Sequence, residues 1–404
     1  MTERHSRREL LKIGVGGITA ATTATRVAVA EAEEPVREVL TPADKFFDVS
    51  RGNPVPHSLR GEALIKARLT PETWRLEMVG EAGANVPKPL TLQDGSALDL
   101  PMLMKLGSTH SVKFLKAIQC LNIEQPLGLG LWEGVPLREV LRLAGSLSNV
   151  RRIYYWGYHN DDPKQMFQSS LSLTEAMETP PWELPPFLAY RLNGSPLPLE
   201  RGGPVRMLVP WAHGFKSIKW LHRIVLTNDF RANDTYADAN NDPESHLKTA
   251  AYLNDLPEKI RGDQPLVVRG TVIHGLSGLK RVEYWLRRTM GRAPDLAEND
   301  PAWQTARWLR CSIDAPPSNW SHVLPPEVKS SEVWGFDNHT GKPKEWPLRY
   351  GMTGWGAHVG VLPPGIYEIR ARAVDLNDFA QPEPRANRQT GLNGIQVKRF
   401  EIFA

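Results

Sequence analysis

The stretch from Val112 to Leu137 constrains the fold of this chain most strongly. Eight residues of strand-like character lead into Cys120, one of only two cysteines in the sequence. A polar turn follows, and then a run with glycines at positions 128, 130 and 134, which let backbone N–H groups approach a ligand closely. A cysteine just past a buried strand lies at the rim of a sheet, where its thiolate can reach a ligand. The pattern alone leaves open the commoner alternative, a buried free cysteine that packs as a small hydrophobic residue.

The same stretch resembles the molybdenum-binding segment of the sulfite oxidase family of molybdopterin enzymes. The shared features are the strand, a cysteine with Asn122 nearby, the glycine-rich loop and the W-x-G-V-P-L pattern that begins at Trp132. In that family the cysteine thiolate ligates molybdenum directly, so the resemblance implies that Cys120 is a catalytic residue and the metal ligand. It also implies a molybdenum–molybdopterin cofactor (Moco), whose dithiolene supplies the other sulfurs and whose metal does the redox chemistry.

A second resemblance runs from Phe187 to Leu226. Asn193-Gly194 predicts a β-hairpin between two strand-like runs, and the segment is similar to the family's N-G-x-P-L-P, H-G-x-P-V-R and G-x-(R/K)-x-x-K-W-L patterns. Arginine and lysine here would supply cationic donors to a phosphate-bearing ligand, while glycine and serine allow a tight backbone approach. A basic surface loop is the alternative. With Asn53 and Asn122, the resemblance implies these cofactor contacts: Cys120, Arg206, His213, Gly214, Phe215, Lys216, Ser217 and Lys219.

Four further candidate catalytic residues come from loops. The segment that ends at His57 is extended and rich in glycine and proline. Its Pro-Val-Pro run matches a family segment that lies across the pterin, which makes Arg51 and His57 candidates for the site. His159, in a polar turn after a predicted strand, and His213 could donate hydrogen bonds to the cofactor. For loop residues of this kind, a simple solvated position is the alternative.

Two positions depart from the family's pattern and concern the substrate. Typical members have an arginine soon after the cysteine, where this chain has Gln125 beside the acidic Glu124. They also place a tyrosine before an S-I-P-L motif, where this chain offers Phe167, which keeps the ring and loses the hydroxyl. Sulfite is an anion and needs converging cationic donors, so both departures weaken the assignment to sulfite and leave the cofactor assignment untouched. Arg51 and the three histidines could supply positive charge instead.

The N-terminus has the features of an export signal. Ser6-Arg7-Arg8-Glu9-Leu10-Leu11-Lys12 matches the twin-arginine pattern, a stretch of small apolar residues follows, and Ala28-Val29-Ala30 offers a cleavage site. We predict a twin-arginine signal peptide over residues 1–30 and a periplasmic location. The apolar stretch is too short to span a bilayer, so no membrane anchor is expected in the mature chain. A basic disordered tail is the alternative.

Two domains are predicted for the mature chain, because its length exceeds the size at which a single core usually divides. Residues 31–245 would form a molybdopterin-binding oxidoreductase domain of mixed α/β character. Residues 246–404 follow a polar linker and contain strands separated by turns, a spacing typical of a β-sandwich. This second region resembles the family's immunoglobulin-like dimerisation domain, which implies a homodimer. The expected fold class is therefore α+β and mostly β: a molybdopterin-binding domain of sulfite oxidase type followed by an immunoglobulin-like β-sandwich.

Composition excludes several classes of protein. The formal net charge is only +4, and no cluster of lysine and arginine carries interleaved aromatic residues, so no nucleic-acid partner is expected. Two cysteines allow at most one disulfide, so the chain is not a disulfide scaffold. No C-x-x-C-H motif occurs, so no covalent c-type haem is expected, and we expect no haem domain in this chain. The electron acceptor is therefore expected to be an external c-type cytochrome.

Three functions remain open from the sequence. The first is the oxidation of a small sulfur compound, foremost sulfite, with water as the oxygen source. The second is a molybdopterin-dependent reduction of a sulfoxide or another oxo substrate on the same fold, which the missing arginine and tyrosine favour. The third is a non-catalytic binding or assembly protein with a degraded metal site, and the presence of Cys120 argues against it.

Overall fold

The computed structural model describes residues 38–81, 83–235, 244–291, 295–297, 300–381 and 394–404. The predicted signal peptide, residues 1–30, lies outside the described residues. The α-helices are α1 (Gly61–Lys66), α2 (Leu100–His110), α3 (Leu137–Leu141), α4 (Leu173–Met177) and α5 (Ala302–Thr305). Within the described ranges, no helix is both long and apolar enough to cross a bilayer.

The strands fall into two groups along the chain. Those of the first half are β1 (Arg75–Glu81), β2 (Leu98–Asp99), β3 (Val112–Gln119), β4 (Pro126–Pro136), β5 (Arg152–Gly157), β6 (Gln168–Ser172), β7 (Phe187–Leu192), β8 (Ser195–Pro196), β9 (Arg206–Leu208) and β10 (Leu221–Thr227). Those of the second half are β11 (Ala250–Leu253), β12 (Lys259–Arg261), β13 (Leu266–Ile273), β14 (Arg281–Thr289), β15 (Leu309–Arg310), β16 (Ser312–Ile313), β17 (Met352–Gly360), β18 (Gly365–Val374) and β19 (Val397–Phe403).

The first sheet has five strands in the order β2-β1-β10-β5-β6. Strand β1 runs parallel to β10, and the remaining neighbours are antiparallel. Because side chains alternate along a strand, one face carries the apolar residues Leu76, Tyr155 and Ile224, which pack in a core shared with Leu103 of helix α2. Asp99 caps the N-terminus of helix α2. Its carboxylate accepts a hydrogen bond at 2.8 Å from the backbone N–H of Met102, the third residue of the helix.

The second sheet pairs β3, β4, β7 and β8 in that order, all antiparallel, with β9 beside β7. The predicted strand before Cys120 is confirmed as β3. The predicted hairpin is confirmed as well, because Asn193 and Gly194 join β7 to β8 with φ values of 50° and 80°. Tight packing in this sheet requires glycine in β4, since a Cβ on Gly134 would lie 2.1 Å from the carbonyl oxygen of Leu188.

Strands β11–β19 form the predicted β-sandwich. One sheet has the order β11-β13-β17-β16 and the other β12-β19-β18-β14-β15. Val268 and Trp355 of the first sheet and Ile369 of the second belong to one buried cluster. The expected succession of strands and turns is present, for example in β13 and β18. The fold is mostly β, as expected from the sequence.

The two halves of the chain share buried surface. One apolar cluster joins Phe114 and Trp132 of the second sheet to Tyr252 and Ile273 of the sandwich. Another joins β3 and β4 to Phe336, which lies in the long connection between β16 and β17. Residues on both sides of the predicted boundary at residue 245 therefore belong to the same buried clusters. The division into two domains stays a prediction.

Candidate functional site

A cavity of about 230 Å³ lies at the end of strand β3 that leads into Cys120. Its wall comes mainly from four parts of the chain: the extended segment near residue 50, the loop after β3, the connection between β5 and β6, and the stretch from Arg201 to Trp220 that includes part of β9. The wall includes these residues that the sequence analysis singles out: Arg51, Cys120, Asn122, His159, Phe167, Arg206, Gly214, Phe215, Ser217 and Lys219. The fold thus collects most of the candidate residues around one space, although they are far apart in the sequence.

The loop that carries Cys120 is held by hydrogen bonds on both sides. The half-buried thiol donates to Oδ1 of Asn122 at 3.0 Å. The side-chain amide of Gln119, the last residue of β3, donates to the Cys120 carbonyl oxygen at 3.1 Å. From the sandwich, Gln396 Nε2 donates to the carbonyl oxygen of Glu124 at 2.6 Å. These bonds fix the loop backbone and keep the thiol at the cavity wall.

A short 3₁₀ helix, Gly214–Lys216, packs directly on the end of β3. A Cβ on Gly214 would lie 2.8 Å from Cγ2 of Ile118 and 3.1 Å from the carbonyl oxygen of Gln119. A side chain at this position would therefore force the loop away from the strand. Glycine lets the loop and the Cys120 segment form adjoining parts of the same wall.

Three cationic side chains, Arg201, Arg206 and Lys219, line the cavity and are called the cavity cluster below. The two arginines are only 7% and 4% exposed. Nη1 of Arg206 donates to the Arg201 carbonyl oxygen at 2.8 Å, and its guanidinium lies 5.2 Å from the ring centre of Trp132. Nη1 of Arg201 donates to the Phe46 carbonyl oxygen at 3.0 Å. In the part of the chain that the structure describes, the Nε atoms of both arginines are buried without a hydrogen-bond partner.

Within the described residues, the carboxylate of Asp48 pairs with this cluster. Nζ of Lys219 lies 3.1 Å from Oδ1 of Asp48 and donates to Oγ of Ser50 at 2.6 Å. Burial and, to a smaller extent, the charge of Arg206 lower the pKa of Lys219 to about 8, although Asp48 opposes both. Burial alone would raise the pKa of Asp48, but Lys219 and Ser50 bring it down to about 2. Three cations facing one carboxylate leave this wall short of negative charge, which suits an anionic ligand.

Lys216 does not line the cavity, and its role as a cofactor contact stays a prediction. Its ammonium group is fully buried, donates to the Ser170 carbonyl oxygen at 2.7 Å and lies 3.1 Å from Oδ1 of Asp234. Asp234 also accepts hydrogen bonds from the hydroxyls of Ser169 and Ser170. A buried ammonium is stable only when it is paired in this way. Lys216 therefore anchors the end of the 3₁₀ helix to strand β6.

Asn53, His57 and His213 also lie outside the cavity wall. Nε2 of His57 is 3.6 Å from Oδ2 of Asp48, and the imidazole ring lies 6.2 Å from the ring of Trp220. His213 is 1% exposed and immediately precedes the 3₁₀ helix. These residues adjoin the residues of the wall and do not contribute to its surface, so their predicted roles are not carried into the proposal below.

Arg51, Phe167 and His159 form another part of the wall. The Arg51 guanidinium lies over the Phe167 ring, 5.2 Å from its centre. The segment that carries Arg51 is tied to the turn after β5, because Nδ2 of Asn160 donates to the carbonyl oxygen of Pro54 at 2.7 Å. Phe167 thus lies at the cavity as predicted from its alignment with the family's tyrosine. The corresponding expectation for Gln125 is not met, since this residue is exposed and outside the wall.

Arg201 is absent from the predicted set although it lines the cavity. The sequence contains one indication that Arg201 could line the site, because this basic residue directly precedes the Gly202-Gly203 turn. The turn itself depends on glycine, because Gly202 has a φ of 101° and a Cβ there would lie 2.8 Å from Cγ of Lys219. The burial of Arg201 depends on contact with Phe46, which is far away in the sequence, so local pattern could not reveal it.

The residues present suit a cofactor that brings both an anionic group and its own metal ligands. The buried Nε atoms of Arg201 and Arg206 offer unused donors to a phosphate, and Cys120 offers one soft thiolate at the same wall. The wall therefore fits Moco, which the resemblance in sequence implies.

Known proteins resemble this chain in sequence. The family model described as "Oxidoreductase molybdopterin binding domain" matches residues 63–235. Mitochondrial sulfite oxidase of Mus musculus is 27% identical over 208 residues, which are 48% of this chain and 35% of that protein. The catalytic subunit MsrP of the protein-methionine-sulfoxide reductase of Xanthomonas axonopodis pv. citri is 30% identical over 200 residues, which are 46% of this chain and 54% of that protein. This chain therefore spans about half, or less, of the length of these curated relatives.

A solved structure shares the fold over most of the chain. The sulfane dehydrogenase SoxCD from Paracoccus pantotrophus aligns with a TM-score of 0.56 and covers 87% of this chain and 86% of that one. The sequence identity is 17%, so the likeness shows the fold alone. The alignment extends beyond residues 63–235, which indicates that the sandwich also has a counterpart in that structure.

Proposed function

Because this chain belongs to the sulfite oxidase family of molybdopterin-dependent oxidoreductases, we propose that it oxidises sulfite or a related small sulfur compound with Moco bound at Cys120. Water supplies the oxygen atom, and the electrons pass one at a time to an external c-type cytochrome. One observation supports this most strongly: Cys120, Arg51 and the cavity cluster line the same cavity. A thiolate donor, an anion-binding wall and a further cation are the three parts that such a site requires.

The cofactor would be held at two places. Arg201, Arg206 and Lys219 would bind its phosphate, and each charge-assisted hydrogen bond of this kind contributes about 1.5–3 kcal/mol. Cys120 would ligate molybdenum through its thiolate, the form in which cysteine binds metals. When bound, the cofactor supplies two-electron redox chemistry with transfer of one oxygen atom. The protein contributes position and electrostatics.

Arg51 and His159 would bind and orient the anionic substrate. The guanidinium group of Arg51 lies 5.2 Å from the centre of the Phe167 ring. This contact would limit the motion of the arginine side chain at the cavity wall. Its charge would attract and orient the sulfite anion at the cavity wall. In this proposal Arg51 takes the part that an arginine soon after the cysteine plays in typical family members.

Reduction of a sulfoxide or another oxo substrate on the same fold is the second candidate. Phe167 favours it, because the ring at the cavity lacks the hydroxyl donor that typical sulfite enzymes place there. The exposed position of Gln125 favours it too, since the cavity then depends on Arg51 for a cation near the substrate. The similarity to the protein-methionine-sulfoxide reductase subunit points in the same direction.

Metal analysis and paired assays test the proposal. We expect about one molybdenum per chain in freshly purified protein, sulfite-dependent reduction of ferricyanide and cytochrome c, and no reduction of methionine sulfoxide by reduced viologen. Cys120→Ser should lose molybdenum and activity while the far- and near-ultraviolet circular dichroism stay unchanged, because a hydroxyl is a poorer donor to this metal. Stoichiometric zinc or iron would overturn the cofactor assignment. Sulfoxide reduction without sulfite oxidation would replace the first candidate by the second.

We also propose export through the twin-arginine route to the periplasm and a homodimer formed by the sandwich. The support for export is the pattern around Arg7 and Arg8, and the support for the dimer is the resemblance of residues 246–404 to a dimerisation domain. Replacing both arginines by lysine should leave folded protein in the cytoplasm. Light scattering of the purified chain should give a dimer, and a monomer at micromolar concentration would contradict it.

A further inference from the structure

A second cavity, of about 280 Å³, lies at the same end of the first sheet as the Cys120 cavity. The two cavities share Gly157, Tyr158 and His159, so they lie on either side of this short segment. Charged residues from four parts of the chain line the second one: Lys66 and Arg68 at the end of helix α1, Glu77 of β1, Asp161 of the turn after β5 and Arg223 of β10.

Sheet register places part of this wall on the solvent-facing side of the sheet. Glu77 pairs with Arg223, and Arg223 pairs with Trp156, so the three side chains share one face. Nη1 of Arg223 lies 3.1 Å from Oε2 of Glu77, and the guanidinium lies 5.8 Å from the centre of the Trp156 ring. Among the described residues, Nε of Arg223 is buried and has no hydrogen-bond partner. The arginine is therefore fixed in place with one donor unused.

Arg68 brings a second unused donor to the same cavity. Its Nη1 is buried without a partner in the described part of the chain. Its backbone has a φ of 54°, a conformation that residues with a side chain rarely adopt and that recurs at binding sites. The Arg68 carbonyl oxygen lies 3.3 Å from Nε2 of His222, and burial holds the pKa of this histidine down at about 3, so the ring stays neutral.

From this arrangement we propose that the second cavity binds a small oxyanion, with Arg68 and Arg223 as the donors. Lys66, Arg68 and Arg223 bring three positive charges, and Glu77 and Asp161 bring two negative ones. Glu77 is already engaged by Arg223, so an oxyanion would meet the free edges of the two guanidinium groups. Planar guanidinium donors match the geometry of sulfate, sulfite or phosphate. The site needs no molybdenum and stands independently of the proposed reaction.

Titration of sulfate into the full-length loaded protein at constant ionic strength tests this site. Trp156 reports on it, because an anion held by Arg223 alters the field at the indole ring. We expect a saturable change in tryptophan fluorescence that Trp156→Phe removes. Arg68→Gln and Arg223→Gln should each weaken sulfate binding about tenfold or more, since each loses a charge-assisted hydrogen bond. Phosphate should bind with similar affinity, and chloride should not compete at equal ionic strength.

Two matched variants separate this site from its surroundings. Arg75→Gln removes a positive charge that acts on Arg68 from outside the cavity wall and should change the affinity by less than about twofold. Lys219→Met removes a cation of the Cys120 cavity and should leave the sulfate signal intact. The proposal is overturned if Arg75→Gln weakens binding as much as Arg68→Gln, if Lys219→Met abolishes the signal, or if the response is not saturable. Should Arg68→Gln fail to fold, Arg223→Gln tests the same donors from a different element.

Discussion

Two arginine-rich clusters in this protein pair their positive charges in different ways. On the outer face of β14 and β18, Arg281 and Arg372 bind the carboxylate of Glu283 at 2.6 and 2.8 Å. Beside them, Arg370 binds Glu368 at 2.8 Å, and Glu368 is only 1% exposed. We call these residues, with Arg287 and Arg399, which also pair with Glu368, the sandwich cluster. Each carboxylate in it serves more than one guanidinium group.

Aromatic rings complete the sandwich cluster. The guanidinium of Arg372 lies 4.0 Å from the centre of the Trp308 ring. That of Arg370 lies 5.5 and 5.7 Å from the rings of Trp285 and Trp303. A cation over an aromatic face gains further attraction without any ligand. The positive charges of this cluster are thus matched by parts of the fold itself.

The cavity cluster is arranged differently. Arg201 and Arg206 pair with backbone carbonyl oxygens, and Asp48 is the carboxylate within the described residues that pairs with Lys219. Buried cations without matching anions are costly to a fold. The two clusters therefore differ in use: the sandwich cluster stabilises the fold, whereas we propose that the cavity cluster holds an anionic ligand.

Removing the shared carboxylate of the sandwich cluster should have the largest effect. Glu368→Ala leaves Arg287, Arg370 and Arg399 without a common partner, and we expect the free energy of unfolding to fall by about 3 kcal/mol. Urea unfolding followed by circular dichroism measures this. The control is Asp263→Ala, which breaks an exposed ion pair to Arg261 outside the cluster and should lower the free energy of unfolding far less. An equal loss of unfolding free energy in both variants would show that the sandwich cluster does not stabilise the fold.

The second prediction concerns cofactor retention. Arg201→Met removes a buried cation from the cavity cluster, so loaded protein should lose its pterin about tenfold or more faster on dilution. The unfolding free energy of the cofactor-free protein should change much less than in Glu368→Ala. Release is followed by pterin fluorescence after oxidation. The control is Arg191→Met, a half-exposed arginine of strand β7 outside the cavity wall. A loss of stability without faster release would show that Arg201 serves the fold.

The third prediction is a pH dependence of the empty cavity. Because burial and Arg206 lower the pKa of Lys219 to about 8 despite Asp48, the cluster loses one positive charge as pH rises through that value. The protonated lysine attracts an anion, so the affinity of cofactor-free protein for inorganic phosphate should fall above pH 8, by at most about tenfold per pH unit. Calorimetric titration between pH 7 and pH 9.5 measures it.

Lys219→Arg provides the control for this pH dependence. Arginine stays protonated throughout this range, so the variant should bind phosphate with little change in affinity up to pH 9.5. A phosphate affinity that falls equally in both proteins would assign the effect to another group. An affinity independent of pH in the wild type would show that Lys219 does not contact the anion.

The smallest expected effect concerns the contact between the two regions. Gln396 joins them, because its Oε1 accepts from the Leu253 backbone N–H at 2.8 Å and its Nε2 donates to the Glu124 carbonyl oxygen at 2.6 Å. Gln396→Ala should lower the unfolding free energy by about 1 kcal/mol and raise the alkylation rate of Cys120 in cofactor-free protein a few-fold by loosening its loop. Cys311 does not interfere, since burial and Glu283 raise its pKa to about 12. An unchanged alkylation rate would show that the sandwich does not help to hold the loop.

Much of the site follows from the sequence because its signals are local. The strand before Cys120, the hairpin at Asn193-Gly194 and the close approach of Gly214 depend on residue type and on near neighbours in the chain. Side-chain alternation in strands and the restricted backbone of non-glycine residues depend on a few consecutive residues. The sequence pattern therefore predicts them well. The same holds for the β-strands of the sandwich.

The uses of the basic residues were decided by tertiary structure. Lys216 and Arg201 are both basic residues next to glycine-containing turns, and local pattern does not separate their roles. Lys216 is paired with Asp234 beneath strand β6, whereas Arg201 contacts Phe46 and reaches the cavity. The free energy of a buried charge depends on which partners come within a few ångströms. Those partners are brought together by folding from distant parts of the chain, so only the three-dimensional structure shows which cations remain available to a ligand.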